Sequence, residues 1–393
     1  MRRLAFLLVL ATAVFPSPAA AQRGAPANTA KPLDIYIVDP EGGKAALWVT
    51  PAGQTVLIDT GNPGERDLTR LMEVVTAAGV TKIDFLISTH YHVDHIGGLM
   101  EFVKRVPVGT FVDHGPNKDA NEQVQGFWTQ YLELAGQAKR ILAKPGDRLP
   151  ITGLDWRVAS AAGEVLKTPI AGAPGAGRAN PACATTPAKQ QNDDENAASL
   201  GSIVSFGQWR AADFGDLLWT KELAMVCPNN PLGTIDMFFV THHGLDASNP
   251  PALIQALNPR VAVMQNGTTK GAAVDVMKAL RAAPRLEDIW QLHWSYTAGI
   301  EHNAPGVFIA NLEEPAVMGG RFNPPPPPPP AAPAPSGVEG PPAARGGGGR
   351  GRGPAAPPHV PAHWIKISVQ PNGSFTVLNS RNGFSKTYAP VAR

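Results

Sequence analysis

The stretch "STHYHVDHIGGL", Ser88–Leu99, places three of the chain's ten histidines and one aspartate within His90–His95. An apolar run, "IDFLIS" at residues 83–88, leads into it, and Gly97-Gly98 leads out. The run reads as a strand, and residues two apart in a strand point the same way. His90 and His92 are therefore expected to aim at one point just beyond the strand's end. The chain then turns, so that Asp94 and His95 project toward a neighbouring point near the start of the next helix. Neutral imidazoles and carboxylates are the donors that a divalent ion such as zinc prefers. The two glycines remove side-chain bulk where the backbone must pass close by.

Outward from this cluster the chain alternates strands with helices. "LDIYIVD" from Leu33, "KAALWVT" and "QTVLIDTG" form an opening β-meander, with a turn at "PAGQ". Leu68, Leu71, Met72 and Val75 then recur at helical spacing, and Gly79 supplies a stop. Further helices are expected over Ile96–Arg105 and Asn121–Ala143. Residues 168–196, rich in Gly, Ala, Pro and polar side chains, read as a surface loop. "SIVSFG", "QWRAADFG" and "TIDMFFV" are strands, and the last delivers His242-His243. "PRVAVMQNG", "DIWQLHW" and "GVFIANL" follow as strands, with a helix around "AAVDVMKALRAA". The final "HWIKISVQPNGSFTVLNS" is a hairpin turning at Pro371-Asn372-Gly373.

The pattern H-x-H-x-D-H followed by Gly-Gly resembles the signature of the metallo-β-lactamase fold superfamily. "LIDTG" (Leu57–Gly61), "DFGD" and "FFVTHHG" resemble further motifs of that superfamily, in the same order. "IVDPEGGKAALWV" and the pair "FGD…THHG" are most similar to the subgroup related to the exported domain of the competence protein ComEC. The resemblance implies an α/β fold, an αββα sandwich, and a centre of two divalent ions, expected to be zinc, with manganese as the alternative metal. It implies His90 and His92 on one ion, Asp94 and His95 on the other, and Asp216 between them. His242, first off its strand, is the expected remaining ligand. His243 is the alternative, and otherwise a substrate-contacting catalytic residue beside Asp94. Asp59 would support the ligands from behind. One departure stands out: no histidine lies between His114 and His242, where many members have one. Either a carboxylate near "DDENAAS" or water completes the first ion, or that ion binds weakly. His114, His293 and His302 read as ordinary hydrogen-bonded side chains, with His114 able to line the pocket.

Residues 1–21 read as a secretory signal peptide. Arg2-Arg3 precede an apolar stretch, Leu4–Phe15, and Ala19-x-Ala21 forms a cleavage site. The stretch is shorter than the roughly 20 residues of a membrane span, so a secreted or periplasmic location is expected. A leader (22–32) precedes the hydrolase domain (33–323). A Pro/Ala/Arg-Gly insertion (324–358) then interrupts the domain before its closing hairpin (359–393). Such an insertion cannot bury a core. Losing the two arginines takes the formal charge from +2 to about zero, which offers no global field for holding nucleic acid. Cys183 and Cys227 are compatible with one disulfide or with two buried thiols.

The function this implies is an exported, two-metal hydrolase that activates water, on a phosphodiester or another small-molecule substrate. A lactone- or β-lactam-opening hydrolase is the alternative within the fold. A non-catalytic, metal-stabilised binding module is the alternative from another class. A redox enzyme using an iron pair is disfavoured, because no flavin-binding or redox motif accompanies the site.

Overall fold

The computed structural model describes residues 31–312 and 362–391. The expected signal peptide, most of the expected leader and the expected low-complexity insertion lie outside the described residues.

The first sheet begins as the expected meander, β1 (Leu33–Ile37), β2 (Ala46–Val49) and β3 (Thr55–Ile58). Helix α1 (Glu65–Ala77) crosses to β4 (Ile83–Ile87), parallel to β3. The short helices α2 (Val93–Ile96) and α3 (Leu99–Phe102) lead to β5 (Val108–Asp113), and α4 (Glu122–Ala135) leads to β6 (Lys139–Leu142). The long helix expected to Ala143 therefore ends early. Gly136 caps it, and "KRIL" pairs with β5 instead.

The second sheet comprises β7 (Arg148–Leu149), β8 (Asp155–Ala161), β9 (Glu164–Val165), β10 (Gly201–Phe206) and β11 (Trp209–Asp213). It continues through α5 (Trp219–Val226), β12 (Met237–Phe239), α6 (Pro251–Leu257) and β13 (Val261–Met264). Helix α7 (Val274–Arg281) precedes β14 (Asp288–His293) and β15 (Ile309–Asn311). Strands β16 (Ile365–Val369), β17 (Phe375–Asn379) and β18 (Ser385–Tyr388) then return to the first sheet, where β16 pairs with β1. Strands β3 to β6 and β11 to β15 are parallel, and the rest are antiparallel.

Three buried layers make this an αββα sandwich. Between the sheets lie Trp48, Trp156, Trp209 and Trp290, all fully buried, with Phe239 against Trp48. Leu68, Leu71, Val74 and Val75 of α1 pack on the outer face of the first sheet, against Leu57 and Leu86. Leu253, Ile254, Met277 and Leu280 of α6 and α7 cover the second, against Phe238 and Ala262. The loop 166–198 is irregular apart from two short 3-10 turns, and Cys183 is bonded to Cys227 beside α5. Among the described residues no helix is long and apolar enough to cross a membrane.

Trp48 stands at the middle of the inter-sheet layer, with Trp156 5.0 Å away by ring centroid. Trp48→Ala is expected to lower stability by about 3–5 kcal/mol, read from urea unfolding. A loss under about 1 kcal/mol would mean that the layer collapses around the gap.

Candidate metal centre

Parallel strands deliver the site, as open α/β sheets place sites beyond the carboxyl ends of their strands. Asp59 follows β3 and His90 follows β4 in one sheet. Asp216 follows β11 and His242-His243 follow β12 in the other. The loop after β1 presses on the cluster from above. Lys44 N donates to Asp94 O, and a Cβ on Gly43 would sit 2.4 Å from that oxygen. A Cβ on Gly97 would meet Val93 O at 2.2 Å, and one on Gly98 would meet Thr60 O at 2.5 Å. That is the close backbone passage for which the Gly-Gly pair was expected.

Four of the histidine rings are fixed from behind. Asp59, fully buried, accepts from Thr89 N and Thr89 Oγ1 and takes the His95 Nδ1 proton at 2.8 Å. The Thr89 hydroxyl, its own proton given to Asp59, faces His90 Nδ1 at 3.1 Å. His243 Nδ1 donates to Gln265 O at 3.0 Å. His242 Nδ1 lies 3.1 Å from Ser248 Oγ, whose proton goes to Leu217 O. Partners that can only accept, or whose proton is already committed, fix the outer nitrogen of each ring as the N–H. The inner nitrogen is then left with a bare lone pair.

Those lone pairs converge. His95 Nε2 and His243 Nε2 are 3.3 Å apart, and each is 3.3 Å from Asp216 Oδ2. Asp94 Oδ2 stands 3.3 Å from His243 Nε2 and 3.5 Å from His95 Nε2. Asp94, His95, Asp216 and His243 thus form one group whose ligand atoms all lie within 4.8 Å of one another. His242, expected as the ligand, lies outside that group, with its Nε2 3.4 Å from Asp216 Oδ2. The reason is local. Both histidines adopt left-handed backbone, φ 53° and 56°, so the order along the chain is not the order in which the rings reach inward. His90 Nε2 and His92 Nδ1 face each other at 3.1 Å. Two nitrogens about 2.0–2.1 Å from a common ion sit at roughly that spacing. Asp216 Oδ1 is buried with no hydrogen-bond partner, as a carboxylate between two cations would leave it. The donor set fits divalent metal.

Electrostatics agree. Burial opposes ionisation of Asp216, but the His243, His95 and His242 rings outweigh it and hold the carboxyl well below the usual range. Burial is likewise overcome at Asp94 by His95, His243 and Lys270. Burial would lower His95, yet Asp216, Asp94 and Asp59 lift it to about 10. Without a metal, a proton on His95 does the balancing that a cation is built to do. Burial, helped by His95 and His92, pushes His90 well down, and burial takes His242 to about 4.

Several residues had no signal in the sequence. Lys270 Nζ bonds Asp94 Oδ2 at the rim, from a position 176 residues away. Lys44 and Asp213 form a buried ion pair at 2.5 Å that ties the two sheets together beneath the site. Asp213 Oδ1 also accepts from Gly215 N, one residue before Asp216. Glu195, one of the carboxylates considered for the first ion, is fully engaged elsewhere. Its Oε1 takes Tyr91 N and His114 Nε2, each at 2.9 Å, and its Oε2 takes Lys118 N. Asp193 pairs with Lys221 and Asp194 accepts from Ala197 N. His293 bonds Asp39, and His302 stands beside Glu301, so neither joins the centre.

Residues 39–180 match the family model of the metallo-beta-lactamase superfamily. The beta-lactamase-like protein 2 homolog of Caenorhabditis elegans is 25% identical over 103 residues, covering 23% of this chain and 32% of that protein. The chain therefore spans about a third of that relative. Among solved structures, CmlA, a diiron β-hydroxylase from Streptomyces venezuelae, is 16% identical, with a TM-score of 0.35. That alignment covers 66% of this chain and 48% of that one. A diphosphatase from the PhnP family is 14% identical, with 65% and 94% covered and a TM-score of 0.36. Scores this low transfer no chemistry from one chain to the other.

The loop bearing His242 and His243 hangs on Glu222, a fully buried carboxyl whose Oε2 accepts from Asn249 N. Burial raises its pKa to about 8. The unfolded chain ionises from about pH 4.5, while the folded chain stays protonated to about 8. Stability is therefore lost as pH rises through that window. Glu222→Gln removes the titration, so the variant should gain on the wild type between pH 5 and pH 8 in urea-unfolding midpoints. A difference constant with pH would show that Glu222 is ionised in the fold.

Proposed function

We propose that this chain, a member of the metallo-β-lactamase superfamily, is an exported two-metal hydrolase whose substrates are phosphodiesters. The observation that carries the reading is the convergence of inward-facing imidazole lone pairs on Asp216, with an ammonium, Lys270, at the rim. A purely structural metal site is closed. Here the His92, Asp94 and Lys270 side chains retain 23%, 17% and 38% of their exposure, so one side of the centre stays open to a ligand. That favours hydrolysis over a metal-stabilised binding module. Export is supported by the disulfide, which suits an oxidising compartment. The phosphodiester reading follows the likeness to the ComEC-related subgroup, and the rim ammonium suits an anionic substrate.

Bound divalent ions would supply Lewis acidity and a water made acidic enough to attack near neutral pH. His90 and His92 would hold one ion, and Asp94, His95 and His243 the other, with Asp216 shared. His242 is available to either. Asp94, ionised at neutral pH and set at the rim, accepts the proton of the attacking water as its oxygen bonds to phosphorus. Lys270 holds a non-bridging oxygen of the substrate, and the leaving alkoxide departs toward solvent and is protonated there. Asp59, Thr89, Gln265 and Ser248 keep the protons of His95, His90, His243 and His242 on their outer nitrogens throughout.

The test is turnover of bis(p-nitrophenyl) phosphate by the metal-repleted protein. Asp216→Ala should lose one metal equivalent and at least about a hundredfold in turnover, the upper end of what altering a ligand's supporting partner alone costs. Lys270→Met, which removes a charge-assisted contact of about 1.5–3 kcal/mol, should raise KM for this anion about tenfold. Its turnover of the uncharged p-nitrophenyl acetate should fall by less, since that substrate loses only the effect of Lys270 on Asp94. Full metal and full turnover in Asp216→Ala would contradict the shared ligand. A cephalosporin or lactone cleaved in place of the phosphodiester would move the substrate class.

A further inference from the structure

The half of the centre built on His90 and His92 is the poorer one, because no mid-chain histidine joins it and Glu195 is committed elsewhere. Behind four of the five rings stands a fixed acceptor. Behind the fifth, His92, the structure brings Asp119, whose Oδ2 is 3.5 Å from His92 Nε2. We propose that Asp119 is a positioning residue that keeps the proton of His92 on Nε2 and so turns the Nδ1 lone pair toward the point shared with His90 Nε2. This rests on the metal-dependent reading above.

The loop after β5 is built to aim this carboxylate. Asp119 Oδ1 accepts from Asn121 N at 2.9 Å, which leaves Oδ2 for His92. Its backbone is gripped on both sides, by Asn117 Oδ1 on its N–H and by the Asn117 and Gln125 amides on its carbonyl. One residue earlier, Lys118 N donates to Glu195 Oε2 at 2.7 Å. The other oxygen of that glutamate takes Tyr91 N, the amide between His90 and His92. A single buried carboxylate therefore holds both the loop that carries Asp119 and the backbone that carries the two ligands. At 3.5 Å the Asp119–His92 contact is at the long limit of a hydrogen bond. Hydrogen bonds in functional sites are often this long before the ligand binds.

A carboxylate can only accept, so it fixes the tautomer, and partners of this kind are worth about 10- to 100-fold in metal affinity. Asp119→Asn separates this role from a structural one. The amide oxygen still serves Asn121 N, while the amide NH2 faces His92 and favours a proton on the wrong nitrogen. Selective 15N-histidine labelling of the metal-free protein should find His92 protonated at Nε2 in the wild type and at Nδ1 in Asp119→Asn. In zinc competition titrations the variant should lose about tenfold or more in the weaker of two equivalents and nothing in the stronger. Asp119→Glu should recover part of the loss. A wild-type His92 protonated at Nδ1 would overturn the proposal, as would unchanged affinities or an equal fall in both equivalents. If the wild type bound no zinc, the metal reading would fall, and the tautomer signature would still decide this contact.

Discussion

The hydrogen bonds made behind the histidines govern the site more than anything in front of them. Asp59, Thr89, Gln265 and Ser248 each commit an outer ring nitrogen, which leaves inner lone pairs and two ionised carboxylates facing one another. Lone pairs 3.3 Å apart beside a carboxylate repel, and in a buried setting that repulsion is weakly screened. The fold can hold this arrangement only with positive charge at its centre. In the protein alone, a proton on His95 and the Lys270 ammonium provide it.

Holding the two halves in register is the work of both sheets. Asp59 joins the ends of β3 and β4, while Asp213 carries Lys44 across to the opposite sheet and steadies the turn before Asp216. A buried ion pair of this kind contributes little net stability, but losing one partner is costly because the other charge is left in place. Its value here is geometric, since it fixes the distance between the candidate metal-binding side chains delivered by different sheets. The tryptophan layer beneath makes that distance stiff, because close-packed interiors do not deform smoothly.

Local pattern made much of this legible. The meander, the α1 face and the strand into His90 follow from period and turn residues alone, and the ordered motifs named the fold and pointed to Asp94, His95, Asp216 and the His242-His243 pair, which the structure brings together. The failures have physical causes. Only Gly136, with no proline or turn cluster, separates "KRIL" from the helical pattern before it, so pairing with β5 decided its state. His242 was preferred to His243 as the first off the strand, but both take left-handed backbone, and His243 is the one grouped with Asp94, His95 and Asp216. Lys270 and Asp119, and the true partners of Glu195, were hidden by sequence distance, since each acts on a residue that only the folded loops bring near. Charged side chains on irregular loops have no period to read.

The most direct test of the centre is the metal content of the purified protein after repletion with zinc, read by elemental analysis. Two ions per chain are predicted, since imidazole nitrogens converge at two neighbouring points around Asp216. A chain that takes up none would show that these inward lone pairs are balanced by protons alone, and the two-metal account would be wrong.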